Sequence, residues 1–343
     1  MARDLNGPPV RLKDIAEELN VSVMTVSKVV RGQTDVSEAT RKRVLERVQA
    51  LNYQPNWIAR SLAARQTFII GLVVPDLMHS FFAEVAKGVT RKMRPHGYDV
   101  VICNSEEDAA LERSEVEHLL SRQVDGLILA SSQAPGEDGL FRKIEARGTP
   151  YVMIDRRFPE TKAAFVGAEN REIGRLATEH LIAEGAKCIG HIAGPKITTG
   201  IGRLEGYRSA LAAHGMEYRD ELVVEGAADE GYSATKRLLA LSPRADGIVC
   251  FNDPYAVSAM KAAMEAGLRI PQDVKIIGAG NVHYSDQLRV PLSTIDQQST
   301  HTGEQAAEIL FGMIAPTGKK AKKNAPKIVK IKPELVVRES TRA

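Results

Sequence analysis

The chain has 343 residues, 43% of them hydrophobic, enough for two or three packed domains. Its net charge of +3 is unevenly spread: residues 1–66 hold eleven Lys/Arg against seven Asp/Glu, leaving the rest slightly acidic. Positive charge is thus concentrated in a small N-terminal part, as contact with nucleic-acid phosphates requires, and no apolar run approaches the ~20 residues that cross a bilayer.

Met1–Pro9 has no apolar signal core and is expected to be a disordered leader, so a cytoplasmic protein is expected, with no membrane partner, rather than an exported solute-binding protein. Ile15, Ala16 and Leu19 then form one apolar helical stripe, and Val23, Val26, Val29 and Val30 a second. Between them Asn20 suits a helix C-terminus and Ser22 an N-cap. Two short helices on so tight a turn have the plan of a helix-turn-helix, whose second helix enters the major groove. A third helix, roughly Ser37 to Leu51, has Ser37 as N-cap, Val44, Leu45 and Val48 inside, and Arg41, Lys42, Arg43 and Arg47 beside them. Pro55-Asn56 opens a short helix, Trp57–Ala63, too short to persist alone.

From Phe68 short apolar strands alternate with helical segments. FIIGLVV, DVVICN, GLILAS and YVMID make a first set; AFVGA, CIGHIAG, ELVVEG, GIVCF and VKIIGAG make a second. Such alternation implies parallel sheets flanked by helices, and two sets imply two lobes with a ligand cleft beyond the strands' carboxyl ends. The fold class is therefore α/β: a small all-α headpiece (residues 1–52), a hinge and linker (53–66) and a two-lobe core (67–343). Cys103, Cys188 and Cys250 lie in or beside apolar runs and read as reduced core residues, not a disulfide set. The eight histidines lack metal-ligand spacing, and neither a metal nor a cofactor is expected.

The run Leu12-x-Asp14-Ile15-Ala16 followed by Val21-Ser22-x-x-Thr25-Val26-Ser27-Lys28-Val29 resembles the headpiece of the LacI/GalR family of bacterial transcription regulators. Tyr53-x-Pro55-Asn56-x-x-Ala59-Arg60-Ser61-Leu62 is similar to that family's hinge, and Leu335-Val336-Val337-Arg338-Glu339-Ser340-Thr341 to its C-terminal region. The resemblance implies a periplasmic-binding-protein-like core crossed three times by the chain, with residues after about Leu292 returning to the first lobe and a final strand near Lys327–Val337 pairing with the second. It also implies a homodimer on a near-palindromic DNA operator, switched by a small-molecule effector, with repression as the commoner role. The DNA-binding candidates are Ser22, Val23, Met24, Thr25, Ser27, Lys28 and Arg31 in the headpiece and Asn56, Ala59 and Leu62 in the hinge. Val23 and Met24 can read only apolar groups such as a thymine methyl, and lysine at position 28 lacks the planar fork that arginine would bring. Leu62 matches the family's minor-groove wedge.

Candidates for effector contact follow predicted strands: Asp76, His79 and Phe81; Asp155 and Arg156; Thr199 and Arg203; Asn252 and Asp253; Asn281 and His283; and Gln297 near a crossover. Arg203 and Asn252 match the family's most regular effector contacts. Gly280 stands where sugar- and purine-responsive relatives carry an acidic residue, Ile197 where purine regulators carry Arg, and Gly226-Ala227-Ala228-Asp229 supplies no aromatic lid. A purine effector is therefore disfavoured and a plain neutral sugar is less expected than for the family at large, while Arg156, Arg203 and His283, if close together, would suit an anionic ligand such as a sugar acid. The run Lys319-Lys320-Ala321-Lys322-Lys323 reads as a solvated loop. The alternatives are a DNA-binding regulator controlled by a protein co-regulator or non-sugar effector, and an enzyme. Against the enzyme, Gly200-x-Gly202-x-x-x-Gly206 lacks dinucleotide-loop spacing and no GxSxG, P-loop or HExxH occurs.

Overall fold

The computed structural model describes residues 10–30, 32–33, 35–53, 61, 64, 66–134, 136–158, 161–226, 229, 231–314 and 327–342. Arg31, Asn56, Ala59 and Leu62, the leader, most of the hinge and the Lys319–Lys323 run lie outside them. The chain divides into two compact units, residues 1–67 and 68–343.

In the first unit, α1 (Leu12–Leu19), α2 (Val23–Val30) and α3 (Glu38–Ala50) enclose Ile15, Ala16, Val26, Val29 and Val44. Asn20 ends α1 in the left-handed region at φ 52°, and Ser22 Oγ accepts from Thr25 N at 3.0 Å, so the two turn residues act as the sequence requires. Ser37 caps α3. Two positions differ from the sequence reading. Leu45 is exposed because Val44 and Val48 span the narrow inner face, and Val23, at the first turn of α2, points outward.

The second unit contains two six-stranded sheets. The first lobe orders β11 (Ile328–Ile331), β5 (Ala164–Ala168), β4 (Tyr151–Ile154), β3 (Gly126–Leu129), β1 (Ile69–Val74) and β2 (Asp99–Asn104), all parallel. The second orders β12 (Glu334–Val336), β10 (Ser293–Asp296), β9 (Lys275–Ala279), β8 (Gly247–Cys250), β6 (Ile189–Ala193) and β7 (Val223–Glu225), parallel except β12 against β10. The central strands of each sheet are covered on both faces, which is why they are continuous apolar runs, whereas edge strands such as β2 remain partly exposed. AFVGA belongs to the first sheet, paired with β4, not to the second. The return to the first lobe begins after Asp296, because β10 still pairs with β9. The single final strand expected near 327–337 is two: β11 joins the first sheet and β12 the second.

The flanking helices are α4 (Ser80–Met93), α5 (Ala109–Ser121), α6 (Gly139–Arg147), α7 (Asn170–Ala183), α8 (Thr198–Ala213), α9 (Tyr232–Leu239), α10 (Asp253–Glu265) and α11 (Ser299–Ile314). The chain passes between lobes after β5, after β10 and between β11 and β12. Close helix pairs are built on glycine. A Cβ at Gly174 of α7 would lie 2.0 Å from Arg203 O, and one at Gly303 of α11 2.2 Å from Val85 O on α4. Cys250 is buried and Cys103 and Cys188 half-buried; all three are free thiols. Among the described residues no helix is long and apolar enough to cross a membrane, and no His/Cys/Asp/Glu group is placed to hold a metal.

Candidate functional site

Between the lobes, at the carboxyl ends of β1, β4, β6 and β8, lies a cavity of about 290 Å³. Asp76, His79, Phe81, Asp155, Arg156, Thr199, Arg203, Asn252 and Gln297 all line it. Thr199 and Arg203 stand on α8, which begins at Thr198, not on a loop leading to a helix at 203.

Arg203 is the centre of the second-lobe wall. Its Nε donates to Asn170 Oδ1 (3.1 Å), Nη2 to Gln297 Oε1 (2.7 Å) and Nη1 to Phe251 O, while its guanidinium carbon sits 4.6 Å from the Phe251 ring centre. Burial draws its pKa down to about 10, opposed by Asp155 and Asp253, so it remains a cation at neutral pH. Asn252 caps α10 by accepting from Tyr255 N (3.0 Å), and its Nδ2 lies 3.1 Å from His79 Nε2 on the first lobe. Burial lowers the His79 pKa below 6.5, with Asp155 pulling the other way. Asp155, at φ 59°, is raised above the usual carboxylate range by burial, against the pull of Arg156 and Arg203. Arg156 is buried, which works against its charge, but Glu107 and Asp155 more than offset this; Nη1 donates to Glu107 Oε2 (2.7 Å), with a second contact from Nη2.

Three sequence candidates are not brought to the cavity. Asp253 is fully buried behind it and accepts from Thr294 Oγ1 (2.6 Å), Val282 N (3.0 Å) and Ser285 Oγ (3.1 Å), fixing the loop after β9. Asn281 is held by Asp296 and Arg338 (3.0 and 2.8 Å), and His283 is exposed on the same loop. The trio of Arg156, Arg203 and His283 therefore does not assemble. Arg156 is committed to Glu107, and the cavity carries Asp76, Glu107 and Asp155 against two arginines, which disfavours an anion.

Sequence reasoning missed Phe82, Glu107, Pro195, Phe251 and Tyr255, and passed over Ile197 as a contact; all six line the cavity. Phe251 and Tyr255 meet edge to face at 5.7 Å. Gly194 and Gly226 make room for them, since a Cβ there would lie 2.3 and 2.1 Å from the respective rings. An aromatic wall is thus supplied by α10 and its approach, without an aromatic in the loop after β7. The signal available was the bracketing of Asn252 by two aromatics.

In the headpiece, Val23 and Met24 project from the start of α2, 45% and 64% exposed. Ser22 and Thr25 hydroxyls share a hydrogen bond of 2.8 Å, Ser27 lies one turn further, and Lys28 pairs with Asp35. The exposed start of α2 therefore presents Val23 and Met24 beside Ser22, with Thr25, Ser27 and Lys28 less exposed.

Residues 67–339 match the family described as periplasmic binding proteins and sugar binding domain of the LacI family, and residues 11–56 match the bacterial regulatory proteins of the lacI family. The ribose operon repressor of Halalkalibacterium halodurans is 34% identical over 334 residues, covering 96% of this chain and 97% of that protein. The transcriptional repressor PurR of Mannheimia succiniciproducens is also 34% identical, covering 96% and 98%. Among solved structures, the lac repressor dimer bound to operator and the anti-inducer ONPF has a TM-score of 0.82 at 27% identity, covering 98% of this chain and 100% of that one. The CelR–cellobiose complex has a TM-score of 0.71 at 29% identity, covering 96% and 99%. With both of its parts matched and relatives aligned end to end, this chain belongs to the LacI family of bacterial regulatory proteins.

Proposed function

We propose that this protein is a cytoplasmic transcriptional repressor that binds a near-palindromic operator as a homodimer and is switched by a neutral, hydroxyl-rich small molecule in the interlobe cavity. The observation that carries the ligand class is the mixture lining that cavity. Apolar faces of Phe81, Phe251 and Tyr255 stand beside Asp76 and Asp155, while the guanidinium groups are already engaged by protein acceptors. Such walls suit a ring with apolar faces and a rim of hydroxyl donors. A purine is less well served, since Ile197 rather than a polar donor faces the cavity. A pair of headpieces on one dimer reaches two half-sites, each read by α2 through Val23 and Met24 with Ser22, Thr25, Ser27 and Lys28 beside them. Ligand that favours one interlobe angle shifts the population competent for DNA, a coupling typically of ~1–3 kcal/mol.

The test is thermal unfolding of the full chain with neutral sugars, sugar acids and nucleobases, followed by operator titration with any stabilising compound. A ligand at a hundred times its Kd adds about 2.7 kcal/mol, a visible shift. Stabilisation by neutral sugars that also changes operator affinity is the expected outcome. Stabilisation only by sugar acids would overturn the neutral ligand class, and no small-molecule response would favour a protein co-regulator.

A further inference from the structure

The headpiece contains a pairing that the fold does not need. Lys28 of α2 and Asp35, in the turn before α3, form an ion pair in which the side chains are 33% and 55% exposed. Exposed pairs of this kind contribute little to stability. Its effect is on the surface that meets DNA.

The approach to Asp35 is tied down at Gly32 and Gln33. Gly32 N donates to Val29 O at 2.9 Å and Gln33 N to Lys28 O at 3.0 Å, closing the chain on the end of α2, with Gly32 at φ 73°. From the other side Arg41 of α3 donates to Gln33 O. Asp35 lies between this anchor and the Ser37 cap of α3, with its carboxylate against the Lys28 ammonium.

Lysine is a compact charge on a flexible stem, and near a duplex it is drawn to phosphates, which carry no sequence information. An ammonium has three N–H donors. One given to Asp35 leaves two for a base edge, and guanine O6 and N7 present two adjacent acceptors in the major groove. The carboxylate also repels phosphate, so it penalises the unspecific alternative. Resting on the DNA-binding reading above, we infer that Asp35 is a positioning residue that holds Lys28 for a guanine base edge and away from the phosphate backbone. Lys28 and Asp35 together, rather than Lys28 alone, set the preference at that base pair. The pairing supplies the orientation that a lysine lacks relative to the planar fork of arginine.

The experiment is in vitro selection from duplexes with a randomised core, using the full chain as wild type, Lys28→Ala and Asp35→Asn, followed by salt titration on the selected and a scrambled duplex. Asp35→Asn is isosteric and exposed, and circular dichroism checks that its helices are retained. The wild type is expected to select a guanine in each half-site that Lys28→Ala no longer selects. Asp35→Asn should weaken discrimination at that same position about tenfold. It should also bind the scrambled duplex more tightly, with a log–log salt slope steeper by about 1. Unchanged base preference in Asp35→Asn, or in Lys28→Ala, would overturn the inference while leaving operator binding intact. No enrichment by the wild type would instead remove the DNA-binding reading, and this inference with it.

Discussion

Asn252 donates across the cleft to His79, Nδ2 to Nε2 at 3.1 Å, joining the second lobe to the first. The amide cannot turn over, because its oxygen is occupied by Tyr255 N. His79 must therefore accept at Nε2, which only a neutral imidazole protonated at Nδ1 can do.

Protonation of His79 breaks this interlobe bond, and burial, aided by the nearby Arg203 cation, holds its pKa below 6.5. Asn252→Asp keeps an acceptor for Tyr255 N and places an anion against the ring. His79 should then titrate at least about one unit higher, read from histidine Cε1 signals by NMR. An ordinary, unchanged titration in both proteins would refute the assigned tautomer.

Arg203→Ala strips donors from Asn170, Phe251 O and Gln297 and removes a cation near Asp155. The core should lose about 3 kcal/mol, seen in urea unfolding, and with it the response to ligand. Arg203→Lys keeps the charge but cannot reach all three acceptors, so it should fall between the two in stability. A fully stable Arg203→Ala core would show that these bonds are dispensable.

Gly174→Ala pushes a methyl into the Arg203 carbonyl, 2.0 Å from its position, so α7 and α8 must separate. A loss of about 1–3 kcal/mol is expected, together with weaker ligand binding, since α8 carries Arg203 and Thr199. Gly312→Ala on α11, where no described residue lies within 4 Å, is the matched control and should stabilise slightly, by up to about 1 kcal/mol.

His191 on β6 is completely buried and stacked on Tyr207 at 5.1 Å. Burial lowers its pKa to about 4. An unfolded imidazole takes its proton near 6.5, so between these values the unfolded chain binds more protons than the folded one. Stability is complete above 6.5 and falls as the pH drops towards 4, by about 3 kcal/mol for this residue. His180 is shifted in the same direction, also by burial, and adds to the loss. His191→Phe should flatten the curve of unfolding free energy between about pH 7.5 and about pH 4.5; an unaltered slope would assign acid sensitivity elsewhere.

The headpiece was legible because its signals are local: Asn20 and Ser22 within three residues fix two helix ends, whatever the rest of the chain does. Strand order is not local. AFVGA looks the same whether it pairs with β4 or β6, and its side in the fold depends on where the chain crosses. The cleft was legible as far as strand ends determine position. Direction was not: Asp253 follows Asn252 directly, yet one turns into the cavity and the other into the loop after β9. Glu107 escaped notice because its partner Arg156 is 49 residues away. Phe251 escaped because an aromatic at the end of an apolar strand reads as core.

Neither lobe is a continuous stretch of chain. The first sheet is completed by β11 and α11 packs on α4, while the second sheet is closed by β12. A ribosome making this protein therefore releases a finished headpiece early, whereas both lobes wait for residues 328–336. During that interval β5 and β10 each expose an unpaired edge, and chaperone demand should concentrate on chains stalled between residues 296 and 328.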